Sequence, residues 1–133
     1  MCIVFLGLDP GKSKCGLAVM GIDRKLWLQE IIPTPETPRR VQEICAQYPI
    51  SLVVLGNGTG SKVWQEELLK QTRVVIVDEK FTTLEARQRY WELYPPKGIV
   101  KLLPPKLRLP PRPLDDIVAI VLIERYLKQL IAS

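Results

Sequence analysis

VFLGLDPGKSKCGLAVMGI, residues 4–22, is the stretch that decides how this chain is read. Two apolar runs flank a short polar insert that opens with Asp9, Pro10 and Gly11. Residues 2–8 predict a buried strand, and residues 15–22 predict a second. Gly21-Ile22-Asp23-Arg24 has the composition of a hairpin turn, and KLWLQEII, residues 25–32, predicts a third strand. A carboxylate at the end of an apolar run loses hydration, so something must compensate Asp9 if it is to stay charged.

Beyond the meander the period changes. From Glu36 to Tyr48 the apolar positions Val41, Ile44, Cys45 and Tyr48 fall at helical spacing, with Pro38 suited to a first turn. Ser51–Leu55 predicts a short buried strand ending at Gly56. Residues 61–71 predict a helix with Ser61 as its cap. Val74–Val77 predicts another strand, closed by Asp78-Glu79. Thr82-x-x-Glu85 has the form of a capping box opening a helix through about Leu93. Residues 94–113 hold seven of the twelve prolines and no period, so they predict a long loop. LDDIVAIVLIERYLKQLI, residues 114–131, has no internal turn signal and predicts a final helix.

The expected architecture is α/β, in the order β-β-β-α-β-α-β-α-α, with a mixed sheet of about five strands and helices on both faces. A chain of 133 residues suits one such domain, 1–133. No apolar run is long enough to span a bilayer, and the N-terminus lacks the features of a signal peptide, so no membrane partner and a cytoplasmic location are expected.

Histidine is absent. That excludes serine–histidine and cysteine–histidine catalysis and the usual imidazole ligands of zinc. Cys2, Cys15 and Cys45 are too few and too scattered for a disulfide framework or a zinc site. The net charge is +5. From Lys80 to Arg112, eight basic residues face only Glu85 and Glu92, so this quarter of the chain carries the whole excess. Such a surface suits a polyanion such as nucleic acid.

Two glycine-rich segments imitate nucleotide-binding motifs. GLDPGKS has three residues between its glycines where a P-loop needs four, and a strand pattern follows it. GNGTGSK places its third glycine wrongly for a dinucleotide fingerprint. Its glycines suit a tight turn, and backbone N–H groups near Gly58 could hold a phosphate.

Asp9, Glu79 (beside Asp78) and the Asp115–Asp116 pair all adjoin core-forming segments. Each has a local explanation, as a turn residue, a strand end or a helix N-terminal acid. A common cause is more economical: carboxylates gathered in one site repel one another, and divalent cations remove that repulsion. Oxygen ligands without histidine point to Mg²⁺ or Mn²⁺, and two such ions activate water against a phosphodiester. At consecutive helical positions, Asp115 and Asp116 point roughly 100° apart, so only one faces such a site directly.

These residues carry a resemblance. GLDPGKSKCGLAV resembles the first-strand motif D-x-G-x-x-x-x-G-x-A-V of RuvC-like nucleases, which have the RNase H-like fold. VDEKFTTLEA and LDDIVAIVLIERYL resemble the second and third motifs of the YqgF subfamily, whose members are described as Holliday junction resolvases and as pre-16S ribosomal RNA processing nucleases. The resemblance implies an RNase H-like nuclease domain. It implies Asp9, Glu79 and Asp115 as metal-binding catalytic carboxylates, with Asp116 a neighbour or substitute, and two Mg²⁺ or Mn²⁺ ions. Nucleic acid, precursor rRNA or branched DNA, is the implied partner. Lys12, Lys14, Lys80, Lys97, Lys101, Lys106 and Arg108 are the expected phosphate contacts. The chain departs from the subfamily at Lys14 and Lys80, where arginine is usual, and at Gly56-Asn57-Gly58, where Gly-Leu-Pro is usual. It departs again at Asp116, Ile117 and Val118, which follow Asp115 where small residues are usual. Two other functions fit the same pattern: a non-catalytic nucleic-acid-binding module, and a phosphotransfer domain of the actin and hexokinase type. Trp91, Tyr90 and Tyr94, beside the basic stretch, suit either core packing or stacking on unpaired bases.

Overall fold

A computed structural model describes residues 3–58, 60–70 and 72–132. Strands β1 (Val4–Asp9), β2 (Lys14–Gly21) and β3 (Leu26–Pro33) form an antiparallel meander. A short 3₁₀ turn at Thr34–Glu36 leads into helix α1 (Thr37–Gln47). Strand β4 (Ile50–Gly56), helix α2 (Ser61–Leu69), strand β5 (Val74–Val77) and helix α3 (Thr82–Leu93) follow. Two 3₁₀ turns, Gly98–Leu102 and Pro105–Leu107, punctuate the proline-rich segment before helix α4 (Asp115–Ala132). The sheet order is β3-β2-β1-β4-β5, with β4 parallel to both β1 and β5.

The period-2 alternation of β1 and β2 sorts the core into two layers. Leu6, Leu8, Cys15, Leu17 and Val19 join Val53 and Leu55 against α1 and α2, through Val41, Ile44 and Leu68. Phe5, Ala18 and Met20 join Val54 and Val77 on the opposite face, against Ala86 and Tyr90 of α3 and most of α4. Asp9 has the parity of Phe5 and Gly7, which places it on the α4 face.

Helix α4 is apolar nearly all round because it is sandwiched: Ile117, Ala119, Ile120, Leu122 and Ile123 are fully buried. It lies so close to the sheet that two sheet positions carry no side chain. A Cβ at Gly7 would crowd the Ala119 carbonyl and Ile123, and one at Gly16 would overlap the backbone of Asp115. Gly16 pairs across the meander with Asp9. The same contact that seats α4 therefore sets its first turn beside Asp9.

Three local expectations are corrected. Gly60, with φ +78°, holds the N-cap position of α2, so Ser61 is the first helical residue and not the cap. The helix ends at Leu69, short of residue 71, which lies outside the described residues, as does Cys2. The capping box at Thr82 does not form. Phe81 occupies the N-cap position in a left-handed conformation, φ 64°. Thr82 Oγ1 donates instead to the Glu79 carbonyl at 2.7 Å, and Glu85 is drawn across to Arg125 at 2.7 Å. A tertiary ion pair has taken the carboxylate that the local motif would use.

Gly16→Ala tests the close approach of α4. It should lower stability by about 2 kcal/mol, as overpacked interior positions do. Urea unfolding of the two proteins measures it, and a change under about 0.5 kcal/mol would contradict the contact.

Candidate active site

Parallel pairing puts the C-terminal ends of β1, β4 and β5 on one edge of the sheet, where ligands bind in open α/β sheets. Asp9 ends β1, Gly56-Asn57-Gly58 leaves β4, and Asp78-Glu79 leaves β5. The N-terminus of α4 reaches the same edge because Asp115 rests on Gly16.

The loop bearing Glu79 is tied from three directions. The Asn57 backbone N–H donates to the Val77 carbonyl at 3.1 Å, and Asn57 Oδ1 accepts from the Glu79 N–H at 3.0 Å. Arg125 of α4 donates to the carbonyls of Asp78 and Lys80, at 2.6 and 2.5 Å. Thr82 holds the Glu79 carbonyl itself. The side chain then folds back over the turn after β4. A Cβ at Gly56 would overlap Glu79 Oε1, and one at Gly58 would overlap Oε2. The two glycines clear a cradle for one carboxylate, which accounts for glycine at both positions.

Glu79 Oε1 is buried and has no hydrogen-bond partner among the described residues. Its neighbour is Asp9, another carboxylate. Burial, a hydrogen bond with Glu79 and the charges of Glu79 and Asp115 together push the Asp9 carboxyl up to about 8, from the usual 3.8. That hydrogen bond exists only when the pair shares a proton, since two carboxylates have no donor between them. With both groups ionised, Oε1 has no donor among the described residues.

Asp115 is the third carboxylate of the cluster. Its Oδ2 lies 3.7 Å from Lys14 Nζ, and its charge is felt at Asp9. Among the described residues, no three acidic, histidine or cysteine side chains stand close enough together to hold a single ion as they are arranged. Asp9 and Glu79 form the close pair, and Asp115 is held beside them by Lys14.

Asp116 faces elsewhere. It is buried, and its carboxylate takes both arms of Arg112 at 2.9 and 3.2 Å and the amide of Gln29 at 2.9 Å. Arg112 also lies over the rings of Tyr90 and Tyr94. Asp116 thus anchors the end of the proline-rich segment to α4 and β3, which leaves Asp115 alone facing the site.

The basic residues also divide. Lys12 and Lys80 are exposed, and the Lys80 ammonium sits over the Phe81 ring at 5.3 Å. Lys97, Lys101 and Lys106 are exposed on the proline-rich segment. Arg108 is committed to the carbonyls of Leu103 and Lys101, both at 3.0 Å, and so braces that segment. Gly58 serves the Glu79 cradle. Asn57, Arg125, Arg112 and Gln29 escaped the sequence reading. The glycine-flanked Asn57 after a strand carried a signal, whereas the other three are long polar side chains whose partners lie far along the chain or are set by tertiary packing.

No family model matches the chain, and no curated protein does either. Solved structures do. Thermus thermophilus RuvC in complex with a Holliday junction substrate is 17% identical, with a TM-score of 0.54 and 96% of each chain covered. A second Thermus thermophilus RuvC structure is 16% identical, with the same TM-score and coverage. The likeness establishes the fold: this chain has the RNase H-like α/β architecture of RuvC over 96% of its length.

Because Asp9 binds its proton more tightly in the folded protein than in the unfolded chain, folding takes up protons between about pH 4 and pH 8. In the presence of a chelator, stability should therefore fall as pH rises through that window and level off above it. Urea midpoints measured across the window check this, and Asp9→Asn should flatten the slope. Equal slopes in the two proteins would contradict the shared proton. Asp116→Ala should cost about 2 kcal/mol by stranding Arg112 and Gln29. A loss under about 0.5 kcal/mol in the same unfolding experiment would contradict that anchoring role.

Proposed function

We propose that this chain is a metal-dependent nuclease that hydrolyses phosphodiester bonds in structured nucleic acid. The observation that carries the reading is the half-buried Asp9–Glu79 pair, whose buried oxygen Glu79 Oε1 finds no donor among the described residues and lies in a glycine-cleared cradle at the carboxyl edge of the sheet. A half-buried carboxylate pair that shares a proton gains from a cation that matches its charge. The donor set is all oxygen, which suits Mg²⁺ or Mn²⁺.

Asp9 and Glu79 would hold the cation, with Asp115 as the adjoining carboxylate. Bound there, the metal supplies an activated water and neutralises charge on the scissile phosphate. The chain's own residues do the rest. Asn57, Arg125 and Thr82 fix the Glu79 backbone, so the carboxylate is preorganised. Lys14 pairs with Asp115 at 3.7 Å and orients it, and its ammonium lies where a phosphate oxygen would gain from it. Lys12 and Lys80 widen that cationic rim. The likeness to a RuvC solved on a Holliday junction supports branched DNA as a substrate. The sequence resemblance to YqgF proteins supports precursor 16S ribosomal RNA.

The ion pair between Lys14 and Asp115 favours one competing reading, a nucleic-acid-binding module that does not cleave. In that case the lysine would replace the metal's charge permanently.

A cleavage assay on branched DNA and on precursor ribosomal RNA, with and without Mn²⁺, separates the two. Cleavage should require the metal and fall by about 100-fold or more in Asp9→Asn and Glu79→Gln, while binding of the same substrates by fluorescence anisotropy persists. Binding without cleavage by the parent protein would establish the non-catalytic module. Cleavage indifferent to both substitutions would overturn the site.

A further inference from the structure

Helix α3 turns Thr82, Ala86 and Tyr90 into the core, and the opposite side of the same helix is the floor of a cavity of about 570 Å³. Leu84, Arg87, Gln88 and Trp91 line it from the helix, and Pro105, Lys106 and Arg108 line it from the proline-rich segment. The cavity is built from fixed parts. Trp91 Nε1–H donates to the Arg108 carbonyl at 3.1 Å, while the Arg108 guanidinium ties down the carbonyls of Leu103 and Lys101. Tyr90 steadies the indole from the core side, with ring centroids 4.9 Å apart and planes at 85°.

This geometry limits what can enter. The one polar atom of the indole is already used, so Trp91 offers ring surface. Leu84 is 57% exposed and adds an apolar wall. Arg87, Lys106 and Arg108 outnumber the single acid, Glu92. An apolar, aromatic-floored recess with a cationic rim matches a planar apolar group that carries negative charge on its edge. We infer that the cavity takes an unpaired base of the nucleic acid, stacked on Trp91 with its phosphates toward Arg87 and Lys106. The inference rests on the nuclease reading and narrows it: the preferred substrate carries a single-stranded stretch leaving the cleaved region. From Thr82, beside Glu79, to Trp91 the helix rises about 14 Å. That is the length of about four stacked nucleotides.

The test is binding of fluorescein-labelled oligothymidylate and oligouridylate of about ten nucleotides, alongside a blunt duplex. Three variants are compared with the parent: Leu84→Glu, Trp91→Leu and Trp91→Phe, each checked for an unchanged thermal midpoint. Leu84→Glu is at an exposed position and keeps the test valid if Trp91→Leu fails to fold. Single-strand affinity should fall about tenfold or more in Leu84→Glu and Trp91→Leu and return in Trp91→Phe. Duplex affinity should stay within about twofold. The DNA and RNA arms show which strand fits better.

Equal losses on single strand and duplex would reduce the cavity to one more charged patch and overturn the inference. So would unchanged single-strand binding in Leu84→Glu, even if the parent cleaves branched substrates normally. In that case the nuclease reading stands and the cavity assignment falls. If the parent binds no nucleic acid of any form, both fall. A concentration-dependent dimer in sedimentation that Leu84→Glu abolishes would give the cavity to a second copy of the chain instead.

Discussion

A carboxylate pressed against another carboxylate inside a protein must share a proton or receive a cation. Asp9 and Glu79 are under that constraint. Burial and like charge both oppose ionisation of Asp9, and the described residues supply no donor to relieve Glu79 Oε1. The surroundings tolerate the arrangement through space and through fixation. Gly56 and Gly58 give up their side chains to the carboxylate, and Asn57, Thr82 and Arg125 hold its backbone.

The close seating of α4 is the second half of the same design. Small residues on the α4 face of β1 and β2 let the helix descend onto the sheet, and its first turn arrives beside Asp9. The two aspartates that open α4 then take separate duties. Asp115 meets Lys14 at the site, and Asp116 binds Arg112 and Gln29 in the interior. Arg125, further along the same helix, reaches the Glu79 loop. One helix thus positions two of the three acidic segments, so packing and site geometry cannot be varied independently.

Much of this was legible in the sequence, for physical reasons that differ by element. Period-2 patterns in β1 and β2 and the short apolar runs of β4 and β5 are set by burial, which sequence records directly, and each was read to within two residues. The separation of Asp115 from Asp116 follows from helical geometry alone. What sequence could not show is which tertiary partner wins a side chain. Glu85 has the spacing of a capping box, yet Arg125, forty residues away, binds it instead. Arg108 has the charge of a phosphate contact, yet it spends its donors on the carbonyls of its own loop. The glycines of GNGTGSK imitate a nucleotide-binding motif, but what they accommodate is a glutamate from the next strand. Trp91 could be core or ligand surface by pattern, and only the fold of the proline-rich segment reveals the cavity above it.

Calorimetric titration of the protein with Mn²⁺ near pH 7, repeated in buffers of different ionisation enthalpy, tests the central claim most directly. Ion binding at Asp9 and Glu79 must displace the proton they share, so close to one proton should leave per ion bound, with none released from Asp9→Asn. Absence of binding, or binding with the same proton release in both proteins, would show that the carboxylate pair is not the cation site.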